Sequence, residues 1–323
     1  MLQVNFPGSV TVVEVGPRDG LQNEPGFVPT ERKIELIERL AEAGLKRIEV
    51  TSFVHPKAVP QLRDSADVIG RIRRRPDVAY SALVPNEKGL ERALASEVGE
   101  IAFFVSASET HNRKNVGMTT AASLEGFRKI AESALARGIR IRGYVATAFG
   151  CPYEGAVPPE NVERIVDAYR SLGIHEIALG DTTGMANPFH VSRMLDRIMP
   201  GLGTLGLALH FHDTRGAALA NVLAALQQGV TVFDGSIGGL GGCPYAPGAS
   251  GNVATEDLVN MLEEMGIRTE IDLPKLIDCA RYTGEIVGKS LPGHLATAGM
   301  IRWAGDPTSM ENPRQNMPGQ GRE

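Results

Sequence analysis

The stretch AEAGLKRIEV, residues 41–50, runs from the end of an amphipathic helix through a glycine into a β-rich segment. The same junction returns as ALARGIRIRGYV at 134–145 and as YRSLGIHEIAL at 169–179. Glycine ends a helix because the residue past the last turn takes a left-handed conformation that a Cβ disfavours. The apolar run after the short link then reads as a strand. Working outward from these junctions, strand and helix alternate eight times. The first four pairs are Val10–Val15 with Thr30–Ala43 (Thr30 at the helix cap), Arg47–Phe53 with Gln61–Arg75, Val78–Val84 with Glu87–Ala95, and Glu100–Ser106 with Ser123–Arg137. The second four are Arg140–Ala148 with Pro159–Leu172, Glu176–Leu179 with Pro188–Met199, Leu205–His212 with Ala217–Gln228, and Thr231–Ile237 with Thr255–Met265. Eight βα units with no break in composition predict one α/β domain over residues 1–303, a (β/α)8 TIM barrel with an extra C-terminal helical segment at 274–288. That segment is a candidate subunit contact. The tail, 304–323, is rich in Pro, Gly and polar residues and is expected to be disordered.

Composition bounds the function. An apolar content of 42% and a charged content of 22% belong to a soluble globular chain with a sizeable core. A net charge of −5 argues against nucleic acid or an anionic membrane as partner. No window approaches the ~18 apolar residues that span a bilayer, and MLQVNFPGSV has neither the basic nor the apolar region of a signal peptide. Cys151, Cys243 and Cys279 lack metal-knuckle spacing, which predicts free thiols in a reducing compartment, the cytoplasm.

In a parallel barrel the chemistry gathers at the carboxyl ends of the strands, and polar residues cluster there. The first strand ends in GPRDGLQNE with Arg18, Asp19 and Gln22; the second holds Glu49; the fifth carries Arg142; the sixth ends at Asp181; the seventh ends in LHFHD. His210 and His212 are two apart, so both imidazoles share one face while Leu209 and Phe211 share the other. A lone inward histidine is usually a satisfied core residue. Two together, with the Asp19 carboxylate, form a facial metal set. Asn252 offers an amide oxygen as a fourth ligand, or else an N-cap for the following helix. The mixed N/O set allows Mg²⁺, Mn²⁺ or Zn²⁺, acting as a Lewis acid, and ligand softness does not choose among them. Arg18 can donate paired hydrogen bonds to an oxygen that turns negative, pair with Glu49, or do both. Asp181 reads either as a substrate contact or as support for other side chains.

Residues 235–251 hold seven glycines in seventeen positions around Cys243. The run lacks the Gly-Lys-Ser/Thr ending of a phosphate-cradling loop. It reads as a lid carrying a reactive thiol to a site held elsewhere, or as a flexible surface loop with an incidental cysteine.

VEVGPRDGLQNE, TSFVHPKAVPQL, RGYVATAFGCPYEG, LGDTTG, HFHDT and GLGGCPYAPGASGNVATEDL together resemble the 3-hydroxy-3-methylglutaryl-CoA lyase family, from about Val10 to Ile286. The cysteine-loop motif is specific to the lyase branch, whereas the His-x-His and Arg-Asp pieces are shared with isopropylmalate synthases and carboxyltransferases. The resemblance implies a metal-assisted cleavage of an acyl-CoA thioester substrate to acetyl-CoA and acetoacetate, with Mg²⁺ or Mn²⁺, in a homodimer. It puts the metal on Asp19, His210, His212 and Asn252. It makes Arg18, Glu49, Asp181, His210 and Cys243 catalytic, with His210 or Asp19 as the base and Cys243 as the proton donor. Arg18, Gln22 and Arg142 are expected to bind substrate. The sequence departs from the family pattern at Gly235, at Pro247, at His111-Asn112-Arg113 and at Arg215. Alternative readings are a lyase for citramalyl-CoA or a longer 3-substituted glutaryl-CoA, and a synthase-like transferase. The chain ends soon after the barrel, where such synthases carry a long extension.

Overall fold

Eight parallel strands close into a barrel in chain order, β1 through β8, in the computed structural model, which describes residues 6–242 and 251–301. The strands are β1 Thr11–Glu14, β2 Arg47–Ser52, β3 Ala79–Leu83, β4 Glu100–Ser106, β5 Arg140–Ala146, β6 Glu176–Asp181, β7 Gly206–Phe211 and β8 Val232–Gly235. Closure is by β1 against β8, with Thr11 opposite Val232 and Glu14 opposite Gly235. The outer ring runs α1 Thr30–Glu42, α2 Ser65–Arg71, α3 Glu87–Ala95, α4 Glu109–Val116, α5 Thr120–Leu135, α6 Pro159–Ser171, α7 Pro188–Ile198, α8 Ala218–Leu226 and α9 Thr255–Glu264. The predicted extra segment is α10, Leu273–Val287, packed on α1 and α9, followed by the short α11, Leu295–Ala298. The predicted disordered tail lies outside the described residues.

Alternation along each strand divides the core in two. Outward residues such as Ile101, Phe103, Ile141, Leu209, Phe211 and Phe233 pack under the helices in one continuous apolar layer. Inside the barrel, Ala102, Ala178 and Ala208 stand beside Leu83 and Tyr144. Small side chains on β4, β6 and β7 leave volume that long polar ones occupy: Arg142, Glu49 and Asp234 are each 2% exposed or less.

Local differences from the sequence reading have local causes. Helix α1 is capped by Pro29; Thr30 lies inside the helix, its hydroxyl donating to Asp64 Oδ2 at 2.8 Å. The single helix expected over 61–75 is a turn at Pro60–Leu62 followed by α2, which ends as Ile72 turns extended four residues before Pro76. Helix α4 was not anticipated, because its only apolar residue is Val116. Its start is held by Ser108 Oγ, which accepts from His111 N at 3.1 Å.

Candidate active site

The chain leaves β1 through one wide turn, Gly16–Gly20, in which Asp19 N donates to Val15 O at 2.7 Å and Gly20 N to the same carbonyl at 3.4 Å. Such an i→i−5 turn re-aims side chains and is common at functional sites. It turns Arg18 and Asp19 over the barrel mouth. Gly16 is required there, since a Cβ would come within 2.6 Å of Glu14 Oε1 and 2.9 Å of Ile237.

Strand β7 delivers the two histidines as the period-2 argument requires. His210 and His212 are 7% and 3% exposed, with ring centroids 5.3 Å apart. Ligand atoms of Asp19, His210 and His212 all lie within 4.8 Å of one another. Asn252 joins them: its Nδ2 donates to Asp19 Oδ2 at 2.9 Å and to Leu240 O at 3.0 Å. The N-cap alternative for Asn252 is excluded, because the cap position of α9 is Ala254.

The site's electrostatics suit a cation. Burial opposes the charge on Asp19, but the Arg18 guanidinium and then the two imidazoles and the Asn252 amide outweigh it, so its pKa is lowered. Burial, reinforced by His210 and opposed by Asp19, drives the His212 pKa down to about 3, leaving a neutral imidazole. His212 Nδ1 and Asn252 Oδ1 are buried without a hydrogen-bond partner among the described residues. A carboxylate, two imidazoles and an amide oxygen, two of them with an unpaired polar atom, fit a divalent ion.

Arg18 is 7% exposed and bridges this set to a second one. Its Nη1 donates to Asp19 Oδ1 at 2.6 Å, and its Nε donates to Glu49 Oε1. Glu49 Oε2 accepts from the Tyr144 hydroxyl at 2.9 Å. Asp181 does not join the ligand cluster: its Oδ1 accepts the Met185 and Ala186 amides at 2.7 and 3.1 Å, and burial pushes its carboxyl up to about 6. Asp181 Oδ2 and Gln22 Oε1 have no partner among the described residues. Arg142, expected to contact substrate, instead sits within the barrel and directs its guanidinium at Asp234, Glu176 and Tyr144. Cys243 and Pro247 lie outside the described residues.

Two departures from the family pattern have structural uses. Asn112 accepts from Ser106 N at 3.0 Å and donates to Met118 O and Ser123 Oγ at 2.9 Å, tying α4 to β4 and α5. Arg215 donates to the Thr183 and Gly184 carbonyls at 2.9 and 2.8 Å, joining the loops after β6 and β7. Sequence reasoning missed Tyr144 and Asp234. Both face the barrel interior where an apolar residue is usual, and that was the available signal.

A closed parallel barrel with Asp19, His210, His212 and Asn252 gathered at its carboxyl rim and an arginine beside them defines a barrel enzyme with a candidate metal site. The HMGL-like family model matches residues 9–282, and the chain belongs to that family, as a carbon–carbon lyase of the hydroxymethylglutaryl-CoA lyase type. It is 53% identical over 287 residues to the hydroxymethylglutaryl-CoA lyase YngG of Bacillus subtilis, covering 89% of this chain and 96% of that protein. It is 48% identical to the mitochondrial hydroxymethylglutaryl-CoA lyase of Bos taurus over 293 residues, 91% of this chain and 90% of that one. A solved HMG-CoA lyase from Acinetobacter baumannii, in complex with coenzyme A and 3-methylmalate, superposes with a TM-score of 0.86 at 50% identity, over 92% of this chain and 97% of that one. No helix among the described residues is long and apolar enough to cross a membrane.

Proposed function

We propose that this protein cleaves 3-hydroxy-3-methylglutaryl-CoA to acetyl-CoA and acetoacetate, with Asp19, His210, His212 and Asn252 holding Mg²⁺ or Mn²⁺. The observation that carries the reading is the convergence of those four side chains from β1, β7 and the segment before α9, beside the Arg18 guanidinium. The names of the similar lyases and the coenzyme A and 3-methylmalate of the Acinetobacter complex support the substrate. A divalent ion held there would supply Lewis acidity and lower the pKa of the substrate's C3 hydroxyl.

The remaining steps belong to the chain's own groups. A base takes the hydroxyl proton, the C2–C3 bond breaks, C3 becomes the ketone of acetoacetate, and the electron pair passes into the thioester enolate. We assign the base to His210, because Asp234 Oδ2 lies 3.0 Å from its Nδ1 and leaves Nε2 to take the proton. Asp19, its pKa held down, keeps its charge and serves as a ligand. The lone pair on His210 Nε2 would either hold the ion or take the hydroxyl proton, since one lone pair cannot do both. Arg18 meets the developing enolate oxygen, and Glu49 holds the Arg18 side chain in place. Gln22 and Asp181 offer their unpaired oxygens, Oε1 and Oδ2, to a substrate hydroxyl. Cys243 donates the proton that converts the enolate to acetyl-CoA. Its position three residues after Leu240, whose carbonyl binds the ligand Asn252, supports that role. A cytoplasmic homodimer is part of the same reading, supported by the family resemblance and by the free thiols of Cys151 and Cys279.

The test is a panel of 3-hydroxyacyl-CoA thioesters assayed on metal-stripped protein with and without added Mg²⁺ or Mn²⁺, products identified by mass. Acetyl-CoA and acetoacetate from the hydroxymethylglutaryl thioester, dependent on the ion, are expected. Preference for a citramalyl or longer glutaryl thioester would overturn the substrate.

A further inference from the structure

Asp234 lies on β8 directly opposite His210 on β7, both side chains inside the barrel. It is 2% exposed, and its Oδ2 lies 3.0 Å from His210 Nδ1. On its other side the Arg142 guanidinium grips it, Nη2 to Oδ1 at 2.6 Å and Nη1 to Oδ2 at 3.2 Å. Arg142 is held in turn by Glu176, Nε to Oε1 at 2.8 Å, and Glu176 takes both Nη groups of Arg47 at 2.9 Å. Arg142 Nη1 also donates to the Tyr144 hydroxyl at 2.9 Å, and that hydroxyl donates to Glu49, the partner of Arg18. A chain of charges thus climbs the barrel interior and branches at Arg142, one arm ending on His210 and the other on Arg18. Buried ion pairs of this kind add little net stability over apolar packing of the same volume, so their place in the fold calls for another explanation.

We propose that Asp234, clamped by Arg142, is a positioning residue that locks the Nδ1–H tautomer and ring orientation of His210 so that Nε2 faces the metal site. An ionised carboxylate accepts hydrogen bonds and donates none. With Arg142 filling its far side, Asp234 can satisfy His210 only if Nδ1 carries the proton. The lone pair then sits on Nε2, toward Asp19 and His212. Orienting partners of this kind typically change metal affinity about 10–100-fold. The inference rests on the metal reading given above and extends it to a residue that touches neither metal nor substrate.

Asparagine at position 234 is nearly isosteric but must aim its amide NH₂ either at the Arg142 guanidinium, donor against donor, or at His210 Nδ1, forcing the proton onto Nε2. The full-length protein is stripped of metal and titrated with Mn²⁺ by calorimetry, wild type against Asp234→Asn, with circular dichroism and melting to confirm folding. Nitrogen NMR of the histidines, assigned with His210→Gln, reads the tautomer in the metal-free wild type. Expected results are Nδ1–H at His210 in the wild type, about 10–100-fold weaker Mn²⁺ binding in folded Asp234→Asn, and recovery of most of the affinity in Asp234→Glu. An Nε2–H tautomer in the wild type overturns the inference, whether or not any variant folds. Equal Mn²⁺ affinity in wild type and Asp234→Asn overturns it as well. A wild-type protein that takes up no Mn²⁺ overturns the metal reading itself.

Discussion

His212 and Arg18 do different work, and their substitutions separate on different measurements. His212 is neutral and buried with an unpaired Nδ1, which is the state a ligand needs. His212→Ala is therefore expected to weaken Mn²⁺ binding by more than the roughly 10–100-fold that loss of an orienting partner costs; an unchanged calorimetric titration would remove it from the ligand set. Arg18 presents its charge beside the metal set and is held by two acids. Lysine keeps the charge but loses the fork that reaches Glu49, Asp19 and an oxyanion together. Arg18→Lys should lower kcat on the order of 10²–10³-fold with a far smaller rise in KM, and an effect confined to KM would contradict its role on the enolate. Cys243→Ala should lower turnover on the order of 10²–10⁴-fold with Mn²⁺ still bound, whereas near-normal rates would exclude it as proton donor. These candidates could be named from the sequence because Arg-Asp, His-x-His and the cysteine motif are local patterns. Arg142 was not: which acid an inward arginine reaches depends on residues 34 and 92 positions away, a matter of barrel register.

At the scale of elements, the junction of β8 with α9 supports the site. Glu14 on β1 faces away from the barrel interior into this junction, where its carboxylate accepts from Gly16 N at 2.7 Å, Ile237 N at 2.9 Å and Thr255 Oγ1 at 2.6 Å. One buried side chain thus ties the Arg18–Asp19 turn, the start of the glycine segment and α9 together. Gly235, one of the positions that departs from the family pattern, lies here: a Cβ would meet Thr255 Oγ1 at 2.7 Å and Thr255 Cα at 3.1 Å. Gly235→Ala is expected to displace Thr255 from Glu14 and cost about 1–3 kcal/mol of stability, read as a lower urea midpoint with an unchanged m-value. A midpoint equal to wild type would show that the junction yields at no cost. The elements themselves were readable from periodicity, with α3 and β4 found at their predicted bounds. The wide turn at Gly16–Gly20 and helix α4 were not readable, since neither has an apolar period and each is set by bonds to backbone and side chains around it.

For the molecule as a whole, buried acids and histidines shape the response to pH. Burial pushes Glu256 from 4.5 up to about 8, and Glu14, also through burial, to about 7. Between the ordinary and the raised value, the folded protein holds a proton that the unfolded chain has released. Their contribution is therefore complete below pH 4.5 and is lost as pH rises through 7 and 8. His212 acts oppositely: between pH 3 and 6.5 the unfolded chain takes up a proton that the buried ring refuses, so stability rises with pH there. Above pH 7 the Glu256 contribution remains, at up to about 1.4 kcal/mol per pH unit. Glu256→Gln should flatten the fall in denaturation midpoint between pH 7 and 8 relative to wild type; parallel curves would refute the assignment. The order of strands, the single barrel and the outward and inward faces of β7 were determined by sequence alone, as was the meeting of Asp19 with His210 and His212, because period, glycine caps and motif spacing are properties of neighbouring residues. Only tertiary structure decided what Arg142, Asp234, Tyr144 and Glu14 touch. Their partners come from distant strands and helices, and only closure of the barrel brings those into register.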